Sequence, residues 1–146
     1  MTKPSQAVGP ATTPDLEEAV RRSVAAFQRH DFDRSLSVWA PDAIYDASLL
    51  GVGVFEGHEA IRGFYEDWLR AFEDYEQVVE ELRDLGNGVT INVLLQKGRP
   101  VRSAGYVQLQ YAIVGTSRDG LLQRVTIYTD IYEARAAAER LAQERG

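Results

Sequence analysis

Two dipeptides, Asn87-Gly88 and Asp119-Gly120, constrain the second half of this chain more than anything else in it. Each supplies two residues that tolerate positive φ, as a two-residue hairpin turn demands. After the first, Val89, Ile91, Val93 and Leu95 alternate with Thr90, Asn92 and Gln96, the period of a half-buried strand. Tyr106 to Val114 and Arg124 to Thr129 read as two further strands, with Gly98-Arg99-Pro100 as an intervening turn. Glu76 to Leu85 alternates imperfectly and fits helix or strand. Long strands joined by short turns make a meander.

The first half is helical. Residues 1–14 are Pro, Thr, Ser and Gly with almost no large apolar side chain, a composition expected of a flexible tail. Residues 15–146 are expected to form one domain. Thr13 is placed as an N-cap, with Pro14 in the first turn and Asp15, Glu17 and Glu18 at the positive end of the helix dipole. Leu16, Val20, Val24 and Phe27 give that helix one apolar stripe ending near His30. Asp31 and Asp33 open a shorter helix carrying Leu36, Val38 and Trp39 and stopped at Pro41. Ala43 to Ala47 is a strand, Val54-Phe55 a second short one, and His58 to Phe72 a third helix. Tyr132 to Gly146 is a polar helix, with Ala137 and Leu141 as its modest apolar contacts, expected to act as a solvated lid or edge cover rather than as core. Helices first and a meander afterwards define an α+β protein.

Composition narrows the function. The chain of 146 residues has no cysteine, so neither a disulfide framework nor a thiolate nucleophile is available. Its two histidines, His30 and His58, lack metal-ligand spacing, and no metal or cofactor is implied. A net charge of −6 opposes binding to nucleic acid. No apolar run is long enough to span a membrane, and the N-terminus lacks a signal-peptide core, which predicts a soluble, cytoplasmic domain.

From Trp39 to Trp68 the sequence runs WAPDAIYDASLLGVGVFEGHEAIRGFYEDW. A helix end, a short strand, a turn broken by Gly51, Gly53 and Gly57, and a new helix opening on Gly57-His58-Glu59-Ala60-Ile61-Arg62 follow in order. That grammar resembles the nuclear transport factor 2-like superfamily and its SnoaL-like branch, over roughly Leu16 to Leu141. The resemblance implies an α+β cone, a curved and mostly antiparallel sheet packed on three N-terminal helices, with a ligand cavity between them. It also implies where catalytic groups would stand. The acid and phenol of ketosteroid isomerases fall on Ala47, Ser23 and Ala112. In members like limonene-epoxide hydrolase, the water-holding Tyr falls on Tyr45 and its Asn on Ala47, while the Arg and Asp places fall on Val93, Leu95 and Ile127. SnoaL-like cyclases need one inward acid, and none is found.

The candidate residues are weighed on their own chemistry. Asp130 could be a general base at a strand end, but Asp130-Ile131-Tyr132-Glu133 has the spacing of a capping box. Tyr45 and Asp46 point to opposite faces of their strand, so at most one enters the cavity. Tyr45 could donate its phenol to a ligand oxygen; Asp46 reads as a surface or ion-paired carboxylate. Gln108 and Gln110 either orient a polar ligand from inside or lie wet on the outer face. His58 at a helix start is expected at the surface or as a cap. Phe64, Tyr65, Trp68 and Phe72 form an aromatic core stripe.

The expected cavity is lined by Tyr45, Phe64, Trp68, Val93, Leu95 and Ile127 and is mostly dry. Leu109, Tyr111 and Ile113 are expected on the outer sheet face, where a homodimer would cover them. Two functions follow: a SnoaL-like binding protein for an apolar or partly oxygenated small molecule, or a cofactor-independent isomerase, cyclase or hydratase of polyketide-, steroid- or terpene-like substrates. Catalytic candidates for the second are Tyr45, Asp46 and Asp130.

Overall fold

The structure is a computed structural model that describes residues 14–146. The expected tail, apart from Pro14, and the Thr13 cap lie outside the described residues. Helix α1 (Pro14–Gln28) and the short α2 (Phe32–Leu36) are followed by β1 (Trp39–Ala47), β2 (Gly53–Glu56), α3 (His58–Arg70), four long strands and a last helix. The strands are β3 (Phe72–Gly86), β4 (Val89–Pro100), β5 (Val107–Arg118) and β6 (Leu121–Tyr128), and the helix is α4 (Ile131–Arg145). They form one six-stranded sheet in the order β2-β1-β6-β5-β4-β3. Only the β1–β6 pair is parallel. This is the α+β architecture expected.

The turns form as their residues dictate. Asn87 and Gly88 have φ of 58° and 78°, and Asp119 and Gly120 have 55° and 81°. Positive φ at both central residues suits the right-handed twist of the flanking strands. Helix α1 buries the expected stripe of Leu16, Val20, Val24 and Phe27 against the main core. Asp31 caps α2 by accepting from the Arg34 N–H.

Several boundaries differ from expectation, each for a physical reason. Trp39 and Pro41 belong to β1, not to the second helix. Pro41 falls where the β1–β6 register shifts between Trp39 and Ile44, so its missing N–H breaks no ladder bond. Residues 76–85, ambiguous in sequence, are strand. The β3–β4 register shifts at three places along β3, and each shift interrupts the alternation while bending the strand. Gly98 and Pro100 continue β4 rather than turning; a Cβ on Gly98 would stand 3.0 Å from the Phe72 ring, which would have to shift by a few tenths of an ångström to admit it.

The largest correction concerns α4. It is no solvated lid. Ala134, Ala138 and Ala142 are buried against Val89, Ile91, Val93, Ala112 and Val114, forming a second core on the outer face of the sheet. Small side chains let the helix lie close to the strands. Asp130 accepts from the Glu133 N–H at 3.1 Å, as the capping-box spacing predicted. Arg135 holds both carboxylate oxygens of Glu81 at 2.7 and 2.8 Å, and the Asn87 amide donates to the Ala142 carbonyl at 2.7 Å. Replacing Ala138 with Leu is expected to lower unfolding free energy by about 1–3 kcal/mol through overpacking. Urea unfolding measures it; an unchanged midpoint would mean that α4 does not pack as described.

Candidate functional site

Alternation fixes what faces the hollow. In the β4–β5 ladder Asn92 is opposite Ile113, Leu94 opposite Tyr111 and Gln96 opposite Leu109. Asn92, Leu94, Tyr111 and Ile113 line a cavity enclosed by α1, α3 and the concave side of the sheet. Val93 is turned the other way, under α4. Leu95, in step with Val93, shares that face, as does Gln110, which donates to Glu80 on the surface. Gln108 is exposed beside Lys97.

The expected lining is therefore half right. Tyr45, Phe64, Trp68 and Ile127 line the cavity, whereas Val93, Leu95, Gln108 and Gln110 do not. Leu109, Tyr111 and Ile113, expected outside, pack into the main core. One step of register exchanges every side chain between faces. The cause is that β4 is buried on both sides: its apolar alternates meet α4, and its polar alternates Thr90, Asn92 and Gln96 point inward. A rule that assigns apolar residues to the only core misreads a strand standing between two. The positions of Val93, Leu95 and Ala112 thus say nothing about catalytic groups in the hollow.

The cavity measures about 80 Å³, roughly half of the ~150 Å³ that holds benzene in an engineered core. Its surface is mostly apolar, and the polar groups in and beside it are largely tied together. The Trp68 indole N–H and the Tyr75 hydroxyl donate to the Gln96 side-chain oxygen at 2.8 and 3.0 Å. The Gln77 amide donates to the hydroxyls of Tyr75 at 3.2 Å and Tyr111 at 2.6 Å. Ser23 on α1 donates to the Ser35 carbonyl at 2.7 Å, joining α1 to α2. Tyr45 stacks on Trp39 at 5.7 Å between ring centres and leans on Phe64 at 5.0 Å. The ring nitrogen Nε2 of His58 reaches the Trp39 carbonyl at 3.0 Å, so His58 is half-buried and ties α3 to β1.

Sequence reasoning missed Asn92, Gln96, Gln77, Tyr75 and Tyr111 as a set. Their shared inward parity becomes visible only once β3, β4 and β5 are paired. The three carboxyl or phenol candidates separate cleanly. Tyr45 is inside. Asp46 accepts from the Ser48 hydroxyl and N–H and pairs with Arg124 at 2.8 Å, and these contacts hold its carboxyl below the usual range. Asp130 caps α4.

No lining residue among the described residues is an Asp, Glu, His, Lys or Arg. Among the described residues no group of three or more His, Cys, Asp or Glu could hold a metal ion. The ionisable groups of the hollow are phenols, and burial raises all of them. Tyr111 is pushed up to about 12 by burial, opposed by its hydrogen bonds to Tyr75 and Gln77. Tyr45, Tyr65 and Tyr75 are raised as well, with burial again the first cause. The arrangement can donate hydrogen bonds from neutral hydroxyls; it cannot abstract a proton near neutrality.

A family model for the SnoaL-like domain matches residues 20–125. The chain belongs to the SnoaL-like domain family. None of the curated proteins matches it in sequence. Solved structures share its fold. An NTF2-like protein of unknown function from Burkholderia pseudomallei has 19% identity and a TM-score of 0.71, with 86% of this chain and 98% of that one covered. TerC co-crystallised with polyporic acid has 20% identity, a TM-score of 0.69, and 86% and 98% coverage. An LEH-like epoxide hydrolase from M. tuberculosis has 18% identity, a TM-score of 0.65, and 88% and 92% coverage.

Two outcomes are expected. In the unfolded chain phenols lose protons near pH ~10, while the four buried ones hold theirs. Above that pH the native state binds more protons, so their stabilisation is complete below pH ~10 and is lost as pH rises beyond it. Tyrosinate absorbance should show these four unionised in the folded protein at a pH where the phenols of the urea-unfolded chain have titrated. Gln96→Leu leaves the Trp68 and Tyr75 donors without their acceptor and should cost about 2–4 kcal/mol in urea unfolding; a loss under ~0.5 kcal/mol would mean that water serves them equally well.

Proposed function

We propose that this SnoaL-like domain binds a compact, uncharged, mostly apolar and partly oxygenated small molecule, and that it does so without acid–base chemistry of its own. One observation carries the reading: the cavity is walled by aromatic and aliphatic side chains and offers hydrogen bonds only from neutral groups. A charged ligand would lose its hydration there with no opposite charge to compensate. The isomerase, cyclase or hydratase alternative lacks support at the same place, because Asp46 and Asp130 are engaged elsewhere and Tyr45 is neutral. The fold relative TerC was co-crystallised with polyporic acid, which supports a small-molecule ligand for a chain of this shape. A homodimer remains part of the reading, but through the outer strip of β3–β5 that α4 leaves open, where Val78, opposite Leu95, is exposed.

Both tryptophans of the chain, Trp39 and Trp68, line the cavity, so indole fluorescence reports its occupancy. Titration with 2-propanol should give a saturable change of constant affinity from pH 5 to 9, and acetate, of the same size, should give none. Ile127→Phe, which fills the hollow, should weaken 2-propanol at least tenfold. Tight binding of the carboxylate, or an affinity that follows a pKa in that range, would contradict the proposal.

A further inference from the structure

Two buried polar atoms in the described part of the chain have no hydrogen-bond partner: the indole nitrogen Nε1 of Trp39 and the side-chain oxygen Oδ1 of Asn92. Both residues line the cavity, and they are only 5% and 3% exposed. An orphaned polar group at such depth is costly and is rare in folded proteins. Two in one cavity, beside others that are satisfied, point to something that the chain itself does not supply. Ser23, Gln77 and Gln96 have their partners within the protein.

The two atoms are complementary in kind. An indole N–H only donates, and an amide oxygen only accepts. Each is held in place. Trp39 is fixed by its stacking on Tyr45 and by the His58 contact to its carbonyl. Asn92 sits mid-strand on β4, paired with Leu82 on one side and Ile113 on the other. Neither can turn to water without moving the sheet or α3. The Tyr45 hydroxyl, in the same hollow, makes no hydrogen bond among the described residues, and burial keeps it a neutral donor.

We propose that the cavity selects a compact neutral molecule bearing both a carbonyl and a hydroxyl group, the hydroxy-ketone class. Its carbonyl oxygen accepts from Trp39 Nε1–H, with the Tyr45 hydroxyl available as a second donor, and its hydroxyl donates to Asn92 Oδ1. This rests on the reading of the cavity as a ligand site and adds its specificity. A hydrocarbon would leave both atoms orphaned, and a simple ketone would leave Asn92 so; a lone hydroxyl, which donates and accepts, serves both only if it lies between them, a constraint that separate carbonyl and hydroxyl groups relieve.

The test uses hydroxyacetone, acetone, 2-propanol and propane, all smaller than benzene as the cavity volume requires, with the full chain. Only two indole N–H signals exist in the ¹H–¹⁵N spectrum, and Trp39→Phe identifies one of them. The hydroxy-ketone should move the Trp39 signal downfield and leave the Trp68 signal, already bonded to Gln96, in place. It should bind about tenfold more tightly than the ketone or the alcohol. In Asn92→Leu the tenfold gain from the hydroxyl should vanish, with acetone affinity kept within about threefold. Equal affinity for all four compounds in the wild type would overturn this inference and leave the cavity as a binding site. Binding of none would instead overturn the reading beneath it. A hydroxyl preference that survives in Asn92→Leu would remove Asn92 from the specificity. Should that variant not fold, the indole signals of the wild type decide: a shift at Trp68 rather than Trp39 contradicts the assignment.

Discussion

Strand β4 stands between two buried layers, and the other arrangements in the molecule follow from that. Its Val89, Ile91 and Val93 lie under α4, while Thr90, Asn92, Leu94 and Gln96 face the cavity side. Without α4 the outer face would be an exposed apolar strip, so the last helix is what allows the strand to spend its polar alternates on the interior. The alanines of α4 make close approach possible, and the Arg135–Glu81 pair and the Asn87–Ala142 bond hold the helix at both ends.

Polar residues turned inward are costly unless paired, and here the pairing also shapes the cavity. Gln96 and Gln77 link Trp68, Tyr75 and Tyr111, three aromatic residues from α3, β3 and β5, into one network. A satisfied network of this kind resists rearrangement, because breaking one bond orphans the next group in low dielectric. The same burial that makes the bonds strong keeps the phenols protonated. The strength of these bonds and the neutrality of the phenols among the described lining residues therefore have one physical origin.

Much of the fold was legible in the sequence because its signals are local. Asn87-Gly88 and Asp119-Gly120 announced their hairpins, Asp130 with Glu133 announced a helix start, and the run from Trp39 to Trp68 carried the family grammar that the SnoaL-like match confirms. What failed was non-local. The facing of Val93, Leu95, Gln108 and Gln110 depends on which side α4 covers, and the Ala-rich sequence of α4 hides its burial because Ala shows little hydrophobic contrast. Strand β3 read ambiguously because its register shifts interrupt the alternation. Trp39 read as helix because Pro41 looked like a helix stop, whereas it sits at an irregular point of β1. Four of the cavity-lining residues, Tyr45, Phe64, Trp68 and Ile127, could be named in advance, since each is a large apolar or aromatic residue near the family motif or on the last strand.

The central claim is the facing of β4 and β5, and contacts from a bound probe to methyl groups test it most directly. With propane saturating the protein, nuclear Overhauser contacts are expected to the methyls of Leu94, Ile113 and Ile127 and absent from those of Val93 and Val114. Contacts to Val93 and Val114, with Leu94 and Ile113 silent, would place the ligand on the opposite side of the sheet and contradict the whole arrangement.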